Sequence, residues 1–182
     1  MVEQPRPARR SAVDADAAVT ELYAAHWPEL VRLAVLLTGE TGVGEEVVQD
    51  AFIALHRRWS RLDDHGRAAG YLRTSVVNGC RSLLRHRKVV ERQLEQARHR
   101  LDHQESADAA VLREARRDAV LAALGQLPRR QREVLVLRHY LDLSESEIAD
   151  TLGVSRGSVK THASRGAAAL RDLLPHTLLE ER

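Results

Sequence analysis

The chain holds a single cysteine, Cys80, so neither an intrachain disulfide nor a cysteine-based zinc cluster is open to it. A small buried side chain is the role that fits Cys80, since nothing in its neighbourhood announces a reactive thiolate. Aromatic residues make up only 3%, so any core must be assembled from Leu, Val and Ala. Glycine and proline are few, ten and five in 182 residues, and alternating β-branched runs are absent. Apolar residues recur instead in steps of three and four, which predicts an all-α protein. No apolar run approaches the roughly 20 residues that span a bilayer, and the opening MVEQPRPARRSAVDAD lacks the apolar core of a signal peptide. The expected location is the cytoplasm, with no membrane insertion. The nine histidines are scattered, mostly among arginines, so neither a metal nor a cofactor is expected. There is also no nucleophile–base pair and no phosphate-cradling glycine loop, which argues against an enzyme.

What is present is concentrated in Leu143 to Arg165, LSESEIADTLGVSRGSVKTHASR. Ser144 followed by Glu147 is a capping box, which starts a helix carrying Ile148, Ala149 and Leu152 inward. Gly153 supplies the left-handed backbone of a tight exit. Ser155 then caps a second helix, whose inward stripe is Val159, Ala163, Ala167 and Leu170. The opposite face carries Ser155, Arg156, Ser158, Lys160, Thr161, Ser164 and Arg165, short hydrogen-bonding groups mixed with three cations near a helix N-terminus. That composition suits a DNA recognition helix, although helix–turn–helix geometry also occurs without DNA.

Charge is segregated along the chain. Residues 14–64 hold ten acids against four arginines, a net of −6, whereas residues 73–100 hold eight basic residues against two acids, a net of +6. A concentrated basic helix beside a helix–turn–helix reads as a second nucleic-acid footprint.

The spacing predicts two small helical domains joined by a flexible linker. Residues 1–15 are Pro/Arg/Ala-rich and expected to be disordered. The first domain, 16–90, contains a helix from about Val19 to Leu37, bent or restarted at Pro28 and stopped by Gly39. A second helix runs from about Val43 to Trp59, with Val47, Val48, Ala51, Leu55 and Trp59 inward and Glu45, Glu46, Gln49 and Asp50 as an acidic patch. After the turn-rich RLDDHGRAAG, a third helix runs from Tyr71 to about Val90. Its buried stripe is Leu72, Val76, Cys80 and Leu83, and Thr74, Asn78, Arg81 and Arg85 line the opposite face. Residues 91–110 read as a partly helical linker. The second domain, 111–175, should hold a helix from Val111 to Leu124 stopped by Gly125. A further helix starts at Pro128 with Val134, Leu135, Leu137 and Tyr140 inward, and the helix–turn–helix completes a four-helix unit. Residues 176–182 are a tail.

Four segments together, GEEVVQDAFIALHRRW (Gly44 to Trp59), the loop after it, YLRTSVVNGCRSLLRHRK (Tyr71 to Lys88) and LPRRQREVLVLRHYLDLSESEIADTLGVSRGSVKTHASRGAAALR (Leu127 to Arg171), resemble the extracytoplasmic-function sigma factors in order and spacing. More narrowly the chain is similar to their SigE-type actinobacterial branch. The resemblance covers about residues 17–174 and implies a subunit that takes bacterial core RNA polymerase to promoters, in a stress or envelope response. It implies that Glu46, Gln49, Asp50 and Phe52 dock on the clamp helices of the β′ subunit, with the β flap as a further polymerase contact. It implies that Asp63, Asp64 and His65, in a loop that captures a flipped base, act with Asn78, Arg81 and Arg85 on the −10 strand. Ser155, Arg156, Ser158, Lys160, Thr161, Ser164 and Arg165 would read the −35 duplex. An anti-sigma factor is a partner common in that family, and the free chain is expected to be a monomer. Few aromatics beyond Trp59 and Tyr71 stand near the strand-opening loop, which implies stringent promoter choice. His162 occupies a position where an aliphatic residue is usual, so the packing depth of that helix stays open. The residues alone also admit a homodimeric helix–turn–helix repressor or activator, and a protein-only adaptor that would leave Arg156 and Arg165 idle.

Overall fold

The computed structural model describes the backbone of residues 7–62, 64–95 and 109–174, and the side chains of 15–62, 64–87 and 115–174. Among these residues every regular element is helical. Three long helices, α1 (Pro7–Thr38), α2 (Thr41–Arg58) and α3 (Ala68–Glu95), form the first unit. Two short 3-10 turns, Trp59–Arg61 and His65–Arg67, lie between α2 and α3. The second unit holds α4 (Ala109–Gln126), α5 (Arg129–His139), α6 (Glu145–Leu152) and α7 (Arg156–Leu173).

Two expectations for α1 are corrected. The helix begins at Pro7, inside the stretch expected to be disordered, because proline is tolerated in a first turn and Ala/Arg-rich sequence after it propagates helix. Residues 1–6 lie outside the described residues. The helix also runs through Pro28 without a restart. One backbone bond is lost there, and the surrounding burial of Leu30, Leu33, Ala34 and Leu37 against α2 and α3 offsets it. Gly39, at φ 87°, ends the helix as expected. The third helix starts three residues earlier and runs further than its apolar period indicated, and α4 continues through Gly125. The residues between Glu95 and Ala109, and the tail from 175 onward, lie outside the described residues.

The first core is Leu33, Val48, Leu55, Leu72, Val76 and Val77, all fully enclosed, with Cys80 beside them. The close crossing of α2 and α3 is set by Gly79, where an added Cβ would stand 2.8 Å from Val47 Cγ1. Burial pushes the Cys80 thiol up to about 12, so it stays a protonated packing group, consistent with the structural role read from its sequence context.

The second core is assembled around α5, where five consecutive residues, Glu133, Val134, Leu135, Val136 and Leu137, are buried. A helix enclosed on all sides must lie between two partners. Here α6 and α7 cover one side, and α1 with α3 covers the other, so the two units share a seam. Polar groups cross it. The Arg132 guanidinium donates to the carbonyl of Leu37 at 2.8 Å, of Gly125 at 2.7 Å and of Leu127 at 3.3 Å, joining the ends of α1 and α4. Burial holds its pKa below the usual guanidinium range, with the nearby Glu133 charge acting against that shift. The Tyr140 hydroxyl donates to the Glu29 carbonyl at 3.2 Å.

Candidate nucleic-acid and polymerase interfaces

The helix–turn–helix forms by short-range rules. Ser144 Oγ accepts the Glu147 amide at 3.3 Å, and Glu147 Oε2 accepts the Ser144 amide at 2.9 Å, so both halves of the capping box are present. Hydrogen bonds from Ser144 hold the Glu147 carboxyl below its ordinary range. Gly153 adopts φ 64°, the left-handed conformation that lets Val154 N–H close on Ala149 O at 3.1 Å. Ser155 Oγ accepts the Ser158 amide at 3.1 Å and starts α7. Val159 is fully enclosed and Ala163 nearly so, while Ala167 and Leu170 are half-buried along the same stripe. Enclosing a Val or Ile side chain stabilises by roughly 1.5–3 kcal/mol, so Ile148 and Val159 hold the two helices together.

Above that stripe the proposed reading row faces solvent. Ser155, Arg156, Lys160, Thr161, Ser164 and Arg165 are exposed, and Ser158 is half-buried with its hydroxyl 2.9 Å from Ser155 Oγ. Thr161 Oγ1 donates back to Gly157 O at 3.0 Å. Lys160 Nζ lies 3.7 Å from Glu145, a long surface contact that costs little to exchange for a phosphate. His162 is half-buried, and its Nδ1 is enclosed without a hydrogen-bond partner among the described residues. The imidazole therefore fills the usual aliphatic position only in part.

On α2 the polar patch stands where the sequence put it: the acids Glu46 and Asp50 and the amide Gln49 are exposed. Phe52 is not with them. It is 4% exposed and packs in an aromatic cluster, its ring centroid 5.2 Å from Tyr23 and 6.3 Å from Trp27. The signal was available, because Phe52 follows Val48 by four residues and precedes Leu55 by three, the spacing of the buried face. The exposed apolar residues beside Gln49 are instead Ile53, 40% exposed, which periodicity does not mark, and Tyr23, 43% exposed, which it places on the apolar stripe of α1.

In the loop, Asp63 lies outside the described residues. Asp64 Oδ1 accepts the Gly66 amide at 2.9 Å and caps the short turn, with Arg67 Nε 3.3 Å from its carboxylate. The His65 ring lies 4.5 Å from Trp59, its Nε2 3.2 Å from the Trp59 carbonyl. Arg58 sits 5.9 Å above the Tyr71 ring. Both aromatics near the loop are thus half-buried and already in contact, Trp59 with a tilted imidazole and Tyr71 with a guanidinium.

Along α3, Asn78 and Arg85 are exposed. Arg81, expected on that same open row, is instead inserted in the seam. Its Nε donates to Glu133 Oε1 at 2.7 Å and its Nη2 to Glu133 Oε2 at 2.9 Å, a two-pronged pair 12% and 3% exposed at the two side chains. Arg81 Nη1 also donates to Asn78 Oδ1 at 3.0 Å. Glu133 has further partners on its own helix, Arg130 at 3.0 Å and Arg129 at 3.6 Å. Glu133 stands outside every motif of the sequence, yet an acid opening the apolar run EVLVL of α5 signals that something must neutralise it.

Among the described residues no group of His, Cys, Asp and Glu is placed to hold a metal ion, and no helix is long and apolar enough to cross a membrane. Residues 22–89 match Sigma-70 region 2 and residues 117–170 match Sigma-70, region 4. The chain is 32% identical over 153 residues to the RNA polymerase sigma-E factor of Streptomyces coelicolor, covering 84% of each. It is 31% identical over 161 residues to the extracytoplasmic-function sigma factor SigM of Mycobacterium tuberculosis, covering 86% of this chain and 77% of that one. The fold is that of the Bartonella quintana sigma factor RpoE solved with the anti-sigma factor NepR, at a TM-score of 0.69 and 21% identity over 90% of this chain and 98% of that one. A doubly capped helix–turn–helix, an acidic α2 face, a basic α3 and these two matched regions lead to one conclusion: the chain belongs to the actinobacterial extracytoplasmic-function RNA polymerase sigma factors.

Proposed function

We propose that α2 docks on the clamp helices of the polymerase β′ subunit through Glu46, Gln49 and Asp50, with Ile53 and Tyr23 as the apolar contacts and Phe52 supporting them from beneath. Charged groups around an exposed apolar centre suit a surface that associates and releases. The second unit would contact the β flap and the upstream duplex, with Arg156, Lys160 and Arg165 on phosphates or guanine edges and Ser155, Ser158, Thr161 and Ser164 on neighbouring groups. Asp64, His65, Asn78, Arg81 and Arg85, with Asp63, would hold the −10 strand once a base leaves the stack. The catalytic centre belongs to the polymerase, so the chain performs no chemistry of its own, and it works as a monomeric partner in the cytoplasm.

The observation that carries this reading is the exposed row on α7, held by two caps and a left-handed glycine, in one chain with an acidic α2 face. Run-off transcription with sigma-free bacterial core polymerase tests it. Promoter-dependent transcripts are expected; an absence of both core binding and transcript from every promoter tried would overturn it.

A further inference from the structure

The seam holds a feature that the docking and promoter-reading roles do not require. Arg81, the most central cation of the strand-binding row, is engaged by a carboxylate 52 residues away in the other unit. The geometry imitates a nucleic-acid contact, since a guanidinium binds a carboxylate and a phosphate through the same two parallel N–H groups. Removing the partner of a buried charge is ordinarily prohibitive, because it strands the other charge in a low-dielectric site. Here it is not. Glu133 retains Arg130 at 3.0 Å and Arg129 at 3.6 Å on its own helix, so its carboxylate remains neutralised when Arg81 leaves. Arg81 in turn retains Asn78, its neighbour one turn back on α3. Glu133 thus keeps its counter-charges when the pair separates, and Arg81, hydrogen-bonded to the neutral Asn78 amide, passes into water or onto a phosphate.

The surrounding seam also holds an Arg132 bond to the Leu37 carbonyl, a Tyr140 bond to the Glu29 carbonyl and the packing of α1 on α4 and α5 and of α3 on α6. By contrast, the recognition row on α7 takes no part in the seam and stays exposed.

We infer that Glu133 acts as an internal stand-in for a strand phosphate, latching the two units together in the free chain so that single-stranded DNA must displace it from Arg81. Strand binding and opening of the seam are then one coupled event, whereas duplex reading by α7 needs no opening. The inference rests on the assignment of Arg81 to the −10 strand.

The test uses the full chain, a fluorescein-labelled 20-nucleotide single-stranded DNA of mixed sequence, and the radius of gyration from solution X-ray scattering. Glu133→Gln should enlarge the radius and raise the affinity for the oligonucleotide at least threefold. Asp172→Asn, an exposed change of the same charge on α7, should do neither. The gain should vanish in the double variant Arg81→Gln/Glu133→Gln. Glu133→Asp keeps the charge and withdraws the oxygens by one methylene; it should give a smaller shift of the same sign and guards against misfolding of the Gln variant. A radius and affinity equal to those of Asp172→Asn would overturn the latch, while the strand assignment would survive if Arg81→Gln still lowered promoter-dependent transcription. An enlarged radius without any gain in affinity would overturn the competition through the strand assignment itself.

Discussion

The two helices assigned to nucleic acid, α7 and α3, differ in how their cations are held. On α7 the row proposed to read DNA is open, and the caps and turn that start its helix lie within about a dozen residues of chain: the Ser144 capping box, Gly153 and the Ser155 cap. On α3 the row is interrupted, because Arg81 is 12% exposed and its position depends on Glu133. A surface built by local rules is ready as soon as its domain folds. A surface closed by a distant carboxylate is ready only when the seam yields, so on the proposed roles one chain would hold a permanent reader and a conditional one.

The largest blow to this contrast is beneath α7. Ile148→Ala should cost about 3 kcal/mol in chemical denaturation, since the side chain is fully enclosed. Duplex binding should fall with it, and core binding through α2 should persist; loss of both would mean that the two units do not fold independently. Asp50→Arg sharpens the contrast from the other side. Reversing an exposed acid in the proposed docking face should weaken core binding by roughly tenfold, with duplex binding by α7 unchanged in a gel-shift titration. Ser144→Ala removes a cap while sparing the reading row. It should lower stability by about 1 kcal/mol and leave the footprint on duplex DNA in place. Lys160→Ala should reduce the slope of log affinity against log salt by about one unit if the ammonium meets a phosphate.

The smallest effect is one of pH. The Glu40 carboxyl, through its hydrogen bonds from Arg87, and the Glu147 carboxyl, through those from Ser144, both lie below the ordinary value of 4.5. A depressed carboxyl stabilises the fold above its unfolded value, and that gain is lost as pH falls through the folded value. The melting temperature should therefore decline only as pH drops below 4.5, and modestly, because both side chains are exposed to solvent screening. A flat profile on that limb would remove both groups from the account.

The same contrast explains what could be read from the chain alone. The helix–turn–helix was legible to the residue because caps and left-handed glycines act over three or four positions. The acidic row of α2 is legible from its period, and so is the burial of Phe52, whose spacing from Val48 and Leu55 opposes the exposed docking role that the family resemblance implies. The start of α1 was obscured by a composition that suits disorder in isolation but continues a helix already stabilised by tertiary packing. Arg81 could not be placed from local pattern: its outward register on α3 is correct, and only the arrival of α5 turns that register into an interior one. Glu133 shows the same limit from the other end, an acid visible in an apolar run whose partner the run does not name.

Arg132 carries a consequence for how the chain tolerates change. Its guanidinium rests on carbonyls at the end of α1, the end of α4 and the turn before α5. Arg132 is thereby one polar joint of the seam, beside the Arg81–Glu133 pair and the Tyr140 bond to the Glu29 carbonyl. Arg132→Lys, which offers one compact ammonium in place of a three-way fork, should loosen that joint with every covalent link intact. A single guanidinium thus ties together chain positions up to 95 residues apart.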